Sequence, residues 1–258
     1  MTHEAQPVLE SPGMAQADFA ALRSAVEALE RPSLAARLAN VAGKPIELIE
    51  HALPISASQA ITAAASKALE VALQVALRTI QRGPLTASQR FHKALATASG
   101  AVGGAFGLGA LPIELPVSTV ILSDPEAALS CVQVFALGGR PGSTDASESG
   151  YFAVRAMLAK SVTQAARFMV ERGIIEEGGP ILVRFISQVA SRFGVVVTQK
   201  LAAQAIPLVG AVGGAAVNYA FIEHFQEVAR GHFTVRRLER VYGKEVVRRE
   251  YERLAQAP

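Results

Sequence analysis

The 258-residue chain has few of the residues that support redox or metal chemistry. It contains one cysteine, Cys131, so an internal disulfide and a cluster of cysteine metal ligands are both excluded. Because Cys131 lies in an apolar stretch, we expect it in the core. Tryptophan is absent and aromatic residues make up 6% of the chain, whereas alanine is abundant. This composition favours closely packed helices over a sheet.

Charge is also scarce, at 18% of residues against about a quarter in an average globular protein. The net charge is +3, and the excess lies in the segment from Arg230 to the end, which has eight Lys or Arg and four Asp or Glu. Residues 1–7 contain no basic region followed by an apolar core, so no secretory signal is predicted. We therefore expect a cytoplasmic protein, with any membrane contact made from the inner face.

No stretch alternates polar and apolar residues as a half-buried strand does. Apolar residues recur instead at helical intervals, separated by glycine and proline. The pattern predicts an all-α fold, with a disordered tail over residues 1–15 and a single compact helical domain over residues 16–258. Predicted helices run from about Phe19 to Pro32, 33–41, 45–54, 58–81, from Thr86, from Ser123 to Gly138, through Tyr151 to Gly173, 181–206, 217–242 and from Lys244.

Two uncharged, glycine-rich stretches are placed at the centre of this predicted domain. The first covers the 20 residues between Lys93 and Glu114, and the second covers the 22 residues between Lys200 and Glu223. Both contain Ala-Val-Gly-Gly-Ala, at 101–105 and 211–215. A glycine costs roughly 1 kcal/mol relative to alanine inside a helix in water, so these glycines are expected where another backbone approaches closely. The glycines concerned are Gly100, Gly103, Gly104, Gly107, Gly109, Gly210, Gly213 and Gly214.

Their spacing leaves two interpretations open. Small residues four apart, as in Gly100/Gly104 and Gly103/Gly107, allow helices to touch in apolar surroundings. The stretches are then either a buried helix pair in a soluble core or a hairpin that inserts reversibly into a bilayer. A phosphate-binding loop is not predicted, because no Gly-x-Gly-x-x-Gly follows a strand and no Lys-Ser or Lys-Thr follows the glycines.

The candidate chemical groups are carboxylates and imidazoles at helical spacing. His224 and Glu227 are three residues apart and share a helix face, with Glu223 beside them. Glu114 ends the first stretch as Glu223 ends the second, and we hypothesise that the two stretches pack together. The group is either a metal or acid–base site or a set of structural side chains. No His-Glu-x-x-His or Gly-x-Ser-x-Gly occurs, so a catalytic role and a cofactor are not expected.

The C-terminal segment predicts a basic amphipathic helix. Arg236, Arg237, Arg240 and Lys244 fall on one side, and the other side carries the apolar residues Val235, Leu238, Val241 and Tyr242. Such a helix can lie on anionic lipid. The alternative is a surface helix whose arginines pair with acidic residues of the same segment, namely Glu239, Glu245 and Glu250. Nucleic acid is not expected as a partner, because aromatic residues for stacking are missing and the positive excess is small.

Several strings resemble the EcsC protein family. They are Phe91-His-Lys-Ala-Leu, Ser99 to Pro116, Val134-Phe-Ala-Leu-Gly-Gly, Glu148-Ser-Gly-Tyr-Phe-Ala-Val-Arg, Ser191-Arg-Phe-Gly-Val-Val-Val, His224-Phe-Gln and Ala229-Arg-Gly-His-Phe. The resemblance covers roughly residues 40–243. It implies a bacterial protein of a family named from an ABC-transporter operon. The resemblance assigns no activity, and no catalytic residue is carried over from it.

Three functional hypotheses follow. The first is a non-catalytic, membrane-peripheral helical protein that binds anionic lipid or a membrane transport or secretion complex. The second is a metal-dependent enzyme or metal-binding protein that uses Glu114, Glu223, His224 and Glu227. The third is a soluble helical scaffold whose uncharged stretches form its core.

Overall fold

The structure, a computed structural model, describes residues 13–30, 34–42, 54–81, 125–139, 150–172, 179–205 and 211–256. These residues form helices and no strand, which confirms the all-α prediction. The helices are α1 (Gln16–Glu30), α2 (Leu34–Ala42), α3 (Ile55–Gln81), α4 (Pro125–Leu137), α5 (Tyr151–Arg172), α6 (Pro180–Ala205), α7 (Ala211–Tyr242) and α8 (Lys244–Ala255).

Proline and glycine set most of the helix boundaries. Pro125 and Pro180 are the first residues of α4 and α6, where a missing backbone N–H costs nothing. Helix α3 begins three residues earlier than predicted, because the N–H groups of Ala57 and Ser58 both donate to the carbonyl oxygen of Pro54. The helices predicted from Pro45 and Thr86 lie outside the described residues, as does the whole first glycine stretch with Glu114.

Most of the second glycine stretch is helical, since residues 201–205 belong to α6 and residues 211–222 belong to α7. Helix α7 begins at Ala211 rather than at the predicted Val217, so it includes Gly213 and Gly214. The helix-forming residues that follow and the tertiary packing of α7 outweigh the roughly 1 kcal/mol cost of each glycine. Gly210 lies outside the described residues, and the close packing expected at these glycines stays a prediction.

Contacts between residues divide the chain into two compact units. The terminal unit contains α1, the part of α7 from Arg230 onward, and α8. The central unit contains α2 to α6 and the part of α7 up to Ala229. The expectation of one domain over residues 16–258 stays a prediction.

Helix α6 lies at the middle of the central unit, where it packs against α2, α3, α4 and α5. Phe185, Val189 and Phe193 are buried along its length. Gly194 allows the backbones of α6 and α3 to approach, since a Cβ on it would lie 3.0 Å from the Cα of Thr62. A small residue at a helix crossing therefore occurs here, outside both glycine-rich stretches.

An aromatic cluster joins α4, α6 and α7. The ring of Phe135 lies 4.9 Å from that of Phe193 and 5.7 Å from that of Phe225, between centroids. Phe225 also packs at 5.0 Å against Phe221. Such pairs contribute about 0.5–1.5 kcal/mol each beyond their burial, so the cluster fixes the start of α7 against the central unit. Cys131 of α4, expected in the core, is only half-buried.

One helix among the described residues is long and apolar enough to cross a membrane by length and composition, over Pro180–Ala203 of α6. The core helix of a soluble protein passes the same test. Helix α6 packs against four other helices, and 44% of this apolar window is buried among them.

The terminal unit has its own apolar core. Leu22 of α1, Val235 and Leu238 of α7, and Val247 of α8 are fully buried. A Cβ on Gly231 would lie 2.8 Å from the Cγ of Leu29, so α1 approaches α7 closely at this point. These contacts hold α1 on the C-terminal helices.

Helices α7 and α8 are joined by Gly243, whose φ of +87° favours glycine. Val241, predicted on the apolar side of the basic helix, is instead 62% exposed. Its position is rotated by roughly 60° from Leu238 toward Arg237, at the edge of the buried face. The apolar side of this helix is therefore narrower than the sequence predicts.

Candidate functional site

The imidazole of His224 stabilises the end of a helix. Its Nε2 lies 2.9 Å from the carbonyl oxygen of Gly138 and donates a hydrogen bond to it. Gly138 directly follows α4, and the last carbonyl groups of a helix have no partner within that helix. Burial lowers the pKa of His224, so the neutral imidazole is the form held in this contact. His224 is therefore a side-chain partner for the C-terminus of α4.

A second side chain reaches the same helix end. The Nε of Arg192 donates to the carbonyl oxygen of Ala136 at 3.3 Å. Gly139 makes this approach possible, because a Cβ there would lie only 2.7 Å from the carbonyl oxygen of Arg192. The pair Gly138-Gly139 thus ends α4 and lets both α6 and α7 pack against its last turn.

The two glutamates near His224 have different partners. Glu227 forms an ion pair with Arg37 of α2, with 2.8 Å between Oε2 and Nη2 and about a fifth of each side chain exposed. Glu223 accepts a hydrogen bond of 3.3 Å from the hydroxyl of Tyr219, one turn earlier. Because the three side chains contact separate partners, they do not converge as metal ligands do. No group of three or more His, Cys, Asp or Glu residues that could hold a metal is found in the part of the chain that the structure describes.

One buried lysine, Lys200, was not predicted from the sequence. Lys200 of α6 is 1% exposed, and its Nζ donates to Oδ1 of Asn218 at 2.8 Å. The same nitrogen lies 4.4 Å from the ring centroid of Phe221, at cation–π distance. Burial lowers the pKa of Lys200 from 10.5 to about 8. These contacts join the end of α6 to the beginning of α7.

A signal for Lys200 is present in the sequence. Phe193, Val197 and Lys200 are spaced four and three residues apart, so the lysine shares the buried face of α6. A charged residue on such a face needs partners. In the sequence, Lys200 also bounds the start of the second uncharged stretch.

The predicted lipid-contacting residues belong to the terminal unit. Arg237 is 47% exposed along its side chain, Arg240 and Lys244 are exposed, and Arg236 is half-buried. We call Arg237, Arg240, Val241 and Lys244 the basic surface.

The ion pairs at this end agree in part with the predicted alternative of pairing within the segment. Arg237 pairs with Asp18 of α1 at 2.8 Å rather than with an acid of its own segment. Glu250 does pair within the segment, with Arg253 at 2.8 Å. Arg248 likewise pairs with Glu252 at 2.8 Å. Helix α1 therefore supplies a carboxylate that neutralises one cation of the basic surface. The sequence pattern did not indicate this pairing.

The same carboxylate of Asp18 accepts a second hydrogen bond. The hydroxyl of Tyr242 donates to Oδ2 of Asp18 at 2.8 Å, and it accepts a hydrogen bond of 3.2 Å from the backbone N–H of Ala15. The hydrogen bonds from Tyr242 and Arg237 lower the pKa of Asp18, so this carboxyl is ionised at neutral pH.

Comparison with known proteins identifies a family. No curated protein and no solved structure was found to match the chain. The model of one protein family matches residues 16–238, which include the helix-capping histidine, the buried lysine and part of the basic surface. Since this match covers most of the chain, the protein belongs to the EcsC protein family.

Proposed function

We propose that this protein is a non-catalytic, membrane-peripheral protein that binds an anionic lipid surface through the basic surface of its terminal unit. The observation that carries the proposal is the exposure of Arg240, Val241 and Lys244 around the junction of α7 and α8. Val241 is an apolar side chain, 62% exposed, with a cation close to it on either side in sequence. Cations beside an exposed apolar residue are typical of helices that lie on membranes.

The strength of such a contact can be estimated. Each basic residue near an anionic surface contributes about 1 kcal/mol. Burying a valine contributes about 1.5 kcal/mol, of which Val241 would gain only a part. A contact of the two cations Arg240 and Lys244 with this valine is then worth about 3 kcal/mol, which corresponds to a dissociation constant of about 6 mM. The proposed binding is therefore reversible and sensitive to salt.

Two features of the central unit support a surface contact over insertion. Helix α6 packs against four other helices, and its buried residues contribute to the aromatic cluster. Inserting α6 into lipid would require those contacts to be broken. The catalytic alternative has less support, because His224 and Glu227 already bind a helix end and Arg37.

The test is sedimentation of the full chain with vesicles of phosphatidylglycerol and phosphatidylcholine, or of phosphatidylcholine alone, at low and high salt. The variant Arg240→Gln/Lys244→Gln removes two cations from the basic surface. The matched control Lys67→Gln/Arg184→Gln removes two exposed cations from the central unit, so both variants have the same net charge.

Loss of binding in the first variant but not in the control would support the proposal. Equal losses in both variants would mean that net charge alone drives binding, and this result would overturn the assignment to the basic surface. Binding to neutral vesicles that persists at high salt would point instead to insertion of the uncharged stretches. No binding under any condition would favour the soluble scaffold.

A further inference from the structure

The carboxylate of Asp18 occupies a position where two donors of α7 converge. Nη1 of Arg237 and the hydroxyl of Tyr242 each lie 2.8 Å from one of its oxygens. Arginine and tyrosine donors directed at one anion make a binding site for a carboxylate or a phosphate, since both groups present several acceptor oxygens. We call Arg237 and Tyr242 the anion clamp. In this structure its occupant is a side chain of the same protein.

The occupant is held in place by the packing of α1. Phe19, next to Asp18, is buried, and the guanidinium of Arg253 lies 5.5 Å from its ring centroid. At the other end of α1, the hydroxyl of Tyr251 donates to Glu30 at 2.8 Å. These contacts fix α1 at both ends. Asp18 therefore faces the anion clamp without any further loss of conformational freedom.

The contact between Asp18 and Arg237 can nevertheless be exchanged. The Arg237 side chain is 47% exposed and that of Asp18 is 22% exposed, so both are reached by solvent. Exposed ion pairs contribute about 0–1 kcal/mol, which is little enough for an external anion to compete. Exchange requires rotation of the Arg237 and Asp18 side chains and loss of the hydrogen bond from Tyr242 to Asp18, while the apolar contacts of α1 remain.

We propose that Asp18 is an internal competitor for a lipid headgroup phosphate at the anion clamp, and that it weakens binding of the protein to anionic membranes. The inference rests on the proposed function, because it assigns a regulator to the same surface. Arg240 and Lys244 make the first contact with the membrane, and Arg237 joins them only when a phosphate replaces Asp18.

The experiment compares Asp18→Asn with Glu27→Gln in vesicle sedimentation with phosphatidylglycerol and phosphatidylcholine. Each variant removes one negative charge from α1. The two positions are nine residues apart and therefore lie on opposite faces of the helix. Asp18→Asn is expected to raise the affinity by about two- to fivefold over Glu27→Gln, as expected for release of one exposed ion pair.

A second pair of variants tests the inference without changing Asp18. In the native background, Arg237→Gln should reduce binding less than Arg240→Gln does, because Arg237 is already occupied. In the Asp18→Asn background, Arg237→Gln should remove the whole gain. Equal effects of Arg237→Gln in the two backgrounds would overturn the inference, and circular dichroism would show whether each variant keeps its helices.

The results separate the two proposals. If the native chain binds through Arg240 and Lys244 but Asp18→Asn equals Glu27→Gln, the competitor role is wrong and the proposed function stands. If Asp18→Asn binds and the native chain does not, Asp18 prevents binding altogether, and this result supports the competitor role. If neither the native chain nor Asp18→Asn binds, both proposals are overturned.

The source of the phosphate is tested in the same assay. Inorganic phosphate and chloride are compared at equal ionic strength against vesicle-bound Asp18→Asn. Stronger displacement by phosphate would support a headgroup phosphate in the clamp, because inorganic phosphate then competes for the same donors, whereas equal displacement would indicate charge screening alone and overturn the inference. If Asp18→Asn equals Glu27→Gln on vesicles but inorganic phosphate raises the unfolding temperature of Asp18→Asn alone, free phosphate is the occupant and the lipid part of the inference is overturned.

Discussion

His224 and Gly138 are 86 residues apart in sequence, and 2.9 Å separates the imidazole Nε2 from the carbonyl oxygen. The bond joins α7 to the C-terminus of α4 beside the ring of Phe225, which lies 5.3 Å from the His224 ring. A residue that the sequence presents as a candidate metal ligand is thus part of the structural core. Its removal should affect stability.

Replacing His224 with alanine is expected to lower the free energy of unfolding by about 2–4 kcal/mol. The change removes a buried ring and leaves the Gly138 carbonyl without its side-chain donor. His224→Gln, which keeps an N–H donor, should lose less. Glu223→Ala should change stability by less than about 0.5 kcal/mol, because Glu223 is only half-buried. Urea unfolding measures all three, and equal losses for His224→Ala and Glu223→Ala would contradict the prediction.

The buried imidazole should make stability depend on pH below neutrality. Burial lowers the pKa of His224 below the unfolded value of 6.5 and outweighs the hydrogen bond to Gly138, which raises it. Between the two pKa values the unfolded chain binds more protons, so the unfolding free energy falls as pH decreases. The contribution is complete above pH 6.5 and is lost as pH falls through the folded pKa. The difference in stability between the native chain and His224→Gln, measured from pH 8 to pH 5, should shrink toward acid, whereas a constant difference would rule out this linkage.

Lys200 should have a pH dependence of the same sign, in the alkaline range. Its folded pKa of about 8 lies below the unfolded value of 10.5, so the cost of burying the charge is complete below pH 8. Stability should rise between pH 8 and pH 10.5, by up to about 3 kcal/mol. Lys200→Met removes the charge, keeps a similar volume and should flatten this rise. Thermal unfolding of both chains at pH 7, 8, 9 and 10 measures the effect, and parallel curves would show that Lys200 does not titrate in this range.

Gly194→Ala distinguishes helix propensity from packing. In an isolated helix the change would stabilise by about 1 kcal/mol. In this fold a Cβ would lie 2.9 Å from the Cβ of Thr62 on α3, so overpacking should instead destabilise by about 1–3 kcal/mol. Thr62→Ala removes the hydroxyl and should recover part of this loss. Denaturant unfolding of both single variants and the double variant measures the coupling, and stabilisation by Gly194→Ala would show that α3 and α6 do not approach so closely.

Local sequence patterns predicted the helices well wherever proline and glycine mark their ends. Helix α6 begins at Pro180, one residue before its predicted start, and α8 begins at Lys244 after Gly243, as predicted. The start of α7 was predicted too late, because the low helix propensity of Gly213 and Gly214 concealed a helix. Propensity describes an isolated segment, whereas the cost of a glycine in a folded chain is offset by packing.

The contact partners of individual side chains were harder to predict than the helices themselves. The spacing of His224 and Glu227 correctly places them on one helix, yet it does not reveal that one reaches Gly138 and the other reaches Arg37, 190 residues away. The pairing of Arg237 with Asp18 joins residues 219 apart. Helical periodicity relates residues within one element, and it contains no information on which elements meet.

The sequence by itself determined the helical class, most helix ends, the family and the basic character of the C-terminal segment, because these depend on composition and short-range spacing. The tertiary structure decided which side chains make buried contacts that stabilise the fold and which are exposed to solvent. Lys200 is buried against Asn218 and Phe221, His224 binds the end of α4, and Val241 is exposed beside the cations. Burial and hydrogen bonding depend on neighbours from distant parts of the chain, so they are settled only when the helices pack.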